Sequence, residues 1–338
     1  MNRDTSNIFW KLIVIYLGLA AFLAARAAAQ ETVIWEKTDA EPYKHVAFSH
    51  GGSILAVGHG SSNTSEFLNV SDGSLIRSYG APHNGTNALV FTLDDQYLVS
   101  GVGQGGSTLT LDLWRVSDGV RLFRLGDHNN GDHSVSLSPD GQYVATSGRF
   151  GRETNIWHVP DMTLLLSIPN QNPTGGIAPR VKDVKFSPDG QYIATSDIYG
   201  LKFWNPFTGA LLLSITTPEA RSIAFSPDGQ FIAAATEGEQ SVKLFRTDNG
   251  ALTRTLTVDT EFDFPEIAFS PSGRVLVAGY NVGTDAGALR FWSSKGTVLA
   301  TENRSGAIIS VAFAPKGGKI AYTQFDGRIV MASFPFLR

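Results

Sequence analysis

Residues Asp183–Ser196 read DVKFSPDGQYIATS. DVKF and QYIATS are short, β-rich and alternating, as half-buried strands are. Between them stands Ser-Pro-Asp-Gly. Proline presets φ for the first turn position, and the Asp-Gly pair supplies the positive φ that a tight hairpin needs. The stretch is therefore a β-hairpin, and the question is how often it recurs.

It recurs along the whole chain. The copies are HVAFSHGGSILAVG from His45, ALVFTLDDQYLVSG from Ala88, SVSLSPDGQYVATS from Ser134, SIAFSPDGQFIAAA from Ser222, EIAFSPSGRVLVAG from Glu266 and SVAFAPKGGKIAYT from Ser310. Their anchoring apolar residues are Phe48, Phe91, Leu137, Phe186, Phe225, Phe269 and Phe313, spaced 39 to 49 residues apart. After each hairpin comes a third strand, marked by an aromatic in five copies: Trp114, Trp157, Trp204, Phe245 and Trp292. A short turn then leads to a fourth strand. A period of this length with four strands per unit predicts an all-β propeller of seven blades. The last copy has only three strands. TVIWEK, Thr32–Lys37, supplies the missing fourth, so the N-terminal strand is expected to close the ring and remove open sheet edges.

These residues resemble the WD-repeat β-propeller family, over nearly all of residues 30–338. The Trp-Asp pair that names the family is absent: Trp114-Arg115, Trp157-His158, Trp204-Asn205, Phe245-Arg246 and Trp292-Ser293 stand in its place. The family's Gly-His pair is nearly absent too. The resemblance implies a structural histidine about nine residues before the anchor, which selects His128 in the loop GDHNNGDH, Gly126–His133. It also implies a protein-interaction module.

The first 29 residues read as a targeting segment. Arg3 and Lys11 precede the apolar run Leu12–Ala25, and Ala27 and Ala29 form an A-x-A signal. Cleavage after Ala29 and export to a periplasmic or extracellular space are expected, an uncleaved membrane anchor being the alternative. Residues 30–338 then form one domain, expected to be a monomer.

Composition narrows the function. The chain has no cysteine, so it has no disulfide, thiolate metal site or cysteine nucleophile. A net charge of −4 gives no reason to expect a nucleic-acid partner, which usually needs a basic face. No G-x-S-x-G or H-E-x-x-H occurs. GVGQGG from Gly101 lies between two strands rather than before a helix, which removes a dinucleotide reading. No cofactor and no metal are expected.

The loops vary most at the second turn and between blades: Gly101–Thr108, Gly148–Asn155, Pro169–Arg180, Asp259–Glu266 and Tyr280–Gly287. Binding is expected on that face. Four residues before each anchor, at the channel mouth, stand Lys44, Asn87, His133, Lys182, Arg221, Pro265 and Ile309. With Glu266, the polar members of this set are the candidate binding residues. The basic ones suit an acidic peptide or a carboxylate. The rival reading is a hydrolase or lactonase with a metal in the channel, held by His133, Asn87 and Glu266. Asp259, Glu261 and Asp263, interleaved with Phe262 and Phe264, add an acidic loop beside it.

Overall fold

The computed structural model describes residues 31–60, 64–80, 85–103, 109–128, 133–148, 153–159, 161–170, 179–258, 266–283 and 285–337. Its strands form seven antiparallel sheets of four. Each sheet is one blade. Blade one spans 43–79, blade two 85–128, blade three 133–169, blade four 183–216, blade five 220–257 and blade six 266–304. Blade seven combines Ile308–Phe313, Ile320–Gln324 and Arg328–Ser333 with the N-terminal strand Thr32–Thr38.

The repeated turn explains itself in blade four. Ser187 Oγ donates to Asp189 Oδ1 at 2.6 Å and accepts from Tyr192 N at 3.0 Å. Asp189 Oδ1 also accepts from Gln191 N at 3.0 Å. Serine and aspartate thus satisfy the backbone groups that a two-strand corner leaves over. Gly190 sits at φ 71°. Blades three and five repeat the arrangement with Ser138–Asp140 and Ser226–Asp228. In blade two, Asp95 replaces the glycine and adopts φ 57°. Its carboxylate accepts from His50 N at 2.6 Å and Gly51 N at 2.7 Å, which joins blades one and two.

The core is divided by seam. Seven clusters of buried apolar side chains fill the spaces between neighbouring blades. Trp114, Trp157, Trp204, Phe245 and Trp292 are all buried within them. Three of the indoles keep a hydrogen bond to the second strand of their own blade. Trp114 donates to Ser100 Oγ at 2.9 Å, Trp157 to Thr146 Oγ1 at 3.0 Å and Trp204 to Thr195 Oγ1 at 2.9 Å. In blade five Ala234 holds the place of Thr195, and Phe245, which has no donor, holds that of Trp204. At the same point the outer strand slips register by a bulge, for example between Phe203 and Trp204. Bulges increase local twist, which suits the outermost strand of a propeller blade.

The N-terminal strand pairs with Arg328–Ser333 from Thr32↔Ser333 to Thr38↔Arg328. Trp35 then crosses the last seam. Its Nε1 donates to Val70 O in blade one at 3.0 Å, and its ring lies against Gly73. Lys37 Nζ pairs with Glu66 Oε2 at 2.6 Å. On the other side, Glu31 pairs with Arg304 of blade six and accepts from Tyr322 OH at 3.0 Å. Both flanks of blade seven are therefore tied.

Two stretches read as loops are in part strand. Tyr280↔Ala288, Asn281↔Gly287 and Val282↔Ala286 pair as a hairpin extension, and strand pairing in blade two runs on to Gly103. Their Gly, Asn and Asp content looks like loop, but cross-strand pairing and the burial of Tyr280 override it. The backbone of Gly126–His128 likewise continues the strand Arg121–His128, and His133 opens the next. The side chains of His128 and His133 lie outside the described residues.

Candidate functional site

The innermost strand of every blade runs along the central channel. Two faces result. The first and third turns close one face and are uniformly short. The second turns and blade connectors make the other, where the channel opens into a cavity of about 360 Å³. Lys44, Lys182, Arg221, Glu266 and Ile309 all line it, from five different blades. The side chain of Asn87, like that of His133, lies outside the described residues, as does Pro265. So do Asp259, Glu261, Phe262, Asp263 and Phe264. Glu266 belongs to the channel wall, at the first residue of its strand.

The basic residues at the mouth are not bare cations. Lys182 Nζ pairs with Glu219 Oε1 at 2.5 Å. Arg221 makes a bidentate contact to Glu237, with Nε and Nη2 each 2.8 Å from an oxygen. The Arg221 guanidinium holds the Glu237 carboxyl below the usual range. Both partners of that pair are about 40% exposed, so it contributes little stability and opens at small cost. Two exchangeable ion pairs stand at the mouth, together with an apolar lip at Ile309.

One register deeper lies a feature that the spacing of charges did not reveal. Three residues before the anchors stand His45, Ala88, Ser134, Asp183, Ser222, Glu266 and Ser310. Four of these accept a backbone N–H from the next blade. Asp183 Oδ2 takes Ile223 N at 2.9 Å, Ser222 Oγ takes Ile267 N at 3.2 Å, Glu266 Oε2 takes Val311 N at 2.9 Å, and Ser310 Oγ takes Val46 N at 3.4 Å. Innermost strands leave one edge without a strand partner. This belt satisfies part of that edge and joins blade to blade. The residue types differ in each blade, so only the period betrays the belt. Lys185, one turn of the pleat further in, also faces the channel.

Among the described residues, no group of three or more His, Asp or Glu side chains is placed to hold a metal ion. Among the same residues, no helix is long and apolar enough to cross a membrane.

The model of the WD domain, G-beta repeat, matches residues 173–200 and 211–246, which fall on blades four and five and the connector before them. No curated protein matches the chain significantly. Two segments that match the WD repeat stand within seven four-stranded blades, the last closed by the N-terminal strand: the chain is a seven-bladed β-propeller that carries WD-type repeats.

Proposed function

We propose that the protein is an exported, non-enzymatic scaffold that binds a protein or peptide on its variable-loop face. The observation that carries the reading is the mouth itself. Lys44, Lys182, Arg221 and Ile309 meet there around an open cavity. Its ion pairs can be exchanged for a partner's charges, and the apolar lip offers a desolvated contact. The opposite face is made of turns whose polar groups are bonded internally. WD-repeat propellers act as interaction platforms, which supports the same reading. Export rests on the N-terminal leader, residues 1–29, which lie outside the described ones.

The test combines two measurements. N-terminal sequencing of the protein from its native compartment should begin at Gln30. Binding partners captured by the propeller should be lost with Lys182→Ala/Arg221→Ala. A start at Met1 overturns the processing, and unchanged capture overturns the site.

A further inference from the structure

We infer that the central channel holds a small carboxylic acid with an apolar body, its carboxylate set between Lys185 and Glu266. The reading goes beyond the scaffold and needs no protein partner.

Two carboxylates line the cavity, and they are used differently. Asp183 spends both oxygens. Oδ1 accepts from Ser134 Oγ at 2.5 Å, Val184 N at 2.8 Å and Lys185 Nζ at 2.8 Å, and Oδ2 accepts from Ile223 N. Glu266 spends one. Oε2 accepts from Ser310 Oγ at 2.6 Å and from Val311 N, while among the described residues Oε1 has no hydrogen-bond partner. Asp183 is a tie between blades. Glu266 is the same tie with an oxygen left over.

A proton can sit on Oε1 without breaking either bond to Oε2. Burial also pushes the Glu266 carboxyl upward, against the opposing pulls of the Ser310 hydrogen bond and of Lys185. A carboxyl that carries its proton is a hydrogen-bond donor, and its natural acceptor is an anion. Lys185 supplies the second contact. An ammonium has three donors. One goes to Asp183, and the one towards Ser134 Oγ is long at 3.5 Å. At least one remains for the channel.

The rest of the wall sets the sign and the body of the ligand. Lys44, Lys182 and Arg221 line the same cavity, the last two paired with Glu219 and Glu237, and the Asp183 charge is already met by its donors. Ala88, Leu89 and Ile309 line the side of blades two and seven, an apolar surface for a hydrocarbon portion. The volume of about 360 Å³ lies within the range of small-molecule sites. The groups that act on Glu266 are Lys185 and Asp183 of blade four and Ser310 of blade seven. Lys44, His45, Lys182 and Arg221 complete the charged lining. Binding takes up a proton at Glu266, so affinity rises as pH falls towards the ligand's own carboxyl range.

Titration calorimetry with hexanoate on the purified protein tests this, at pH 5.5 and pH 8.0, with inorganic phosphate as the comparison anion. Hexanoate is expected to bind about tenfold more tightly at pH 5.5. Glu266→Gln, whose amide N–H replaces the carboxyl donor, should bind at pH 8.0 as the native protein does at pH 5.5, with the pH dependence gone. Lys185→Met should lose binding while its melting temperature stays near native. If that variant fails to fold, the Glu266→Gln profile and the phosphate comparison decide. Absence of binding by both the native protein and Glu266→Gln overturns the site, as does equal binding by Lys185→Met. Phosphate binding with the same strength and pH profile also overturns it, since the apolar body then has no role.

Discussion

Pro139 in the turn of blade three lies against the bare Cα of Gly190 in the turn of blade four. A Cβ on Gly190 would stand 3.1 Å from Pro139 Cγ. The relationship repeats around the short-turn face. Pro188 meets Gly229, Pro227 meets Gly273 and Pro315 meets Gly52. The Ser-Pro-Asp-Gly motif is therefore more than a hairpin signal. Its proline and glycine are the two halves of a contact between successive blades.

Gly190→Ala adds both backbone strain and that clash. Gly238 provides the control, since it has φ 80° with nothing within 4 Å of a built Cβ. Gly238→Ala should cost about 1–2 kcal/mol, the ordinary cost of a left-handed L-residue. Gly190→Ala should cost roughly 1 kcal/mol more. Urea denaturation of both, and of Pro139→Ala/Gly190→Ala, measures the difference. Equal effects in the two single variants would show that the proline contact carries no energy.

The closing strand should matter to the whole ring. Trp35→Ala removes a buried indole, its bond to Val70 O and the cover over Gly73. A loss of about 3–5 kcal/mol is expected. Deleting residues 31–38 exposes the edge of Arg328–Ser333 and should give aggregation. Thermal melts with light scattering check both. A deletion variant that stays monomeric with a native melting temperature would rule out closure by this strand.

The indole bonds give a narrower prediction. Thr195→Val keeps the shape but leaves Trp204 Nε1 without its acceptor in a buried site. The expected cost is about 1–3 kcal/mol. Ala234→Thr, at the matching position of blade five where Phe245 replaces the tryptophan, should bring no matching gain, since it buries a hydroxyl where no indole awaits it. Chemical denaturation of the two variants reads the asymmetry.

Two groups, the buried His59 and the half-buried Glu266, set the pH range of stability from opposite sides. Burial lowers the pKa of His59, whose Nδ1 has no hydrogen-bond partner among the described residues and whose ring packs on Tyr43 at 4.5 Å. Below about pH 6.5 the unfolded chain binds this proton more readily than the native protein, so stability falls as pH drops. Burial raises the pKa of Glu266. Above the ordinary carboxylate range the native protein holds that proton more readily, so stability falls as pH rises. His59→Phe should flatten the acid limb and Glu266→Gln the alkaline limb. Urea midpoints at pH 5 and pH 8 check the signs, and a reversed sign for either variant would refute its assignment.

The fold was legible because its markers are chemical and repeat in register. Phe186 and Phe225 begin turns of identical sequence, and TVIWEK is the one strand left over for blade seven. The site was legible only as a register. Counting back from the anchors found Lys44, Lys182 and Arg221, which do meet at the mouth. It did not find Glu219 and Glu237, because their pairing with Lys182 and Arg221 joins different parts of the chain. Nor did it find the belt from Asp183 to Ser310, where Ser, Asp and Glu perform one task with different side chains. Tyr280–Gly287 misled because glycine-rich strands and loops share a composition, and only the partner strand tells them apart.

The central claim is that the channel mouth is the binding surface. The most direct measurement compares three purified forms by quantitative affinity capture from the native extract: the native propeller, Lys182→Ala/Arg221→Ala, and Phe207→Ser. Phe207 is 59% exposed in a short turn on the opposite face. The account predicts a defined set of partners held equally by the native protein and Phe207→Ser and lost, by about tenfold or more, from the mouth variant. Retention by the mouth variant with loss from Phe207→Ser would place binding on the other face and contradict the account.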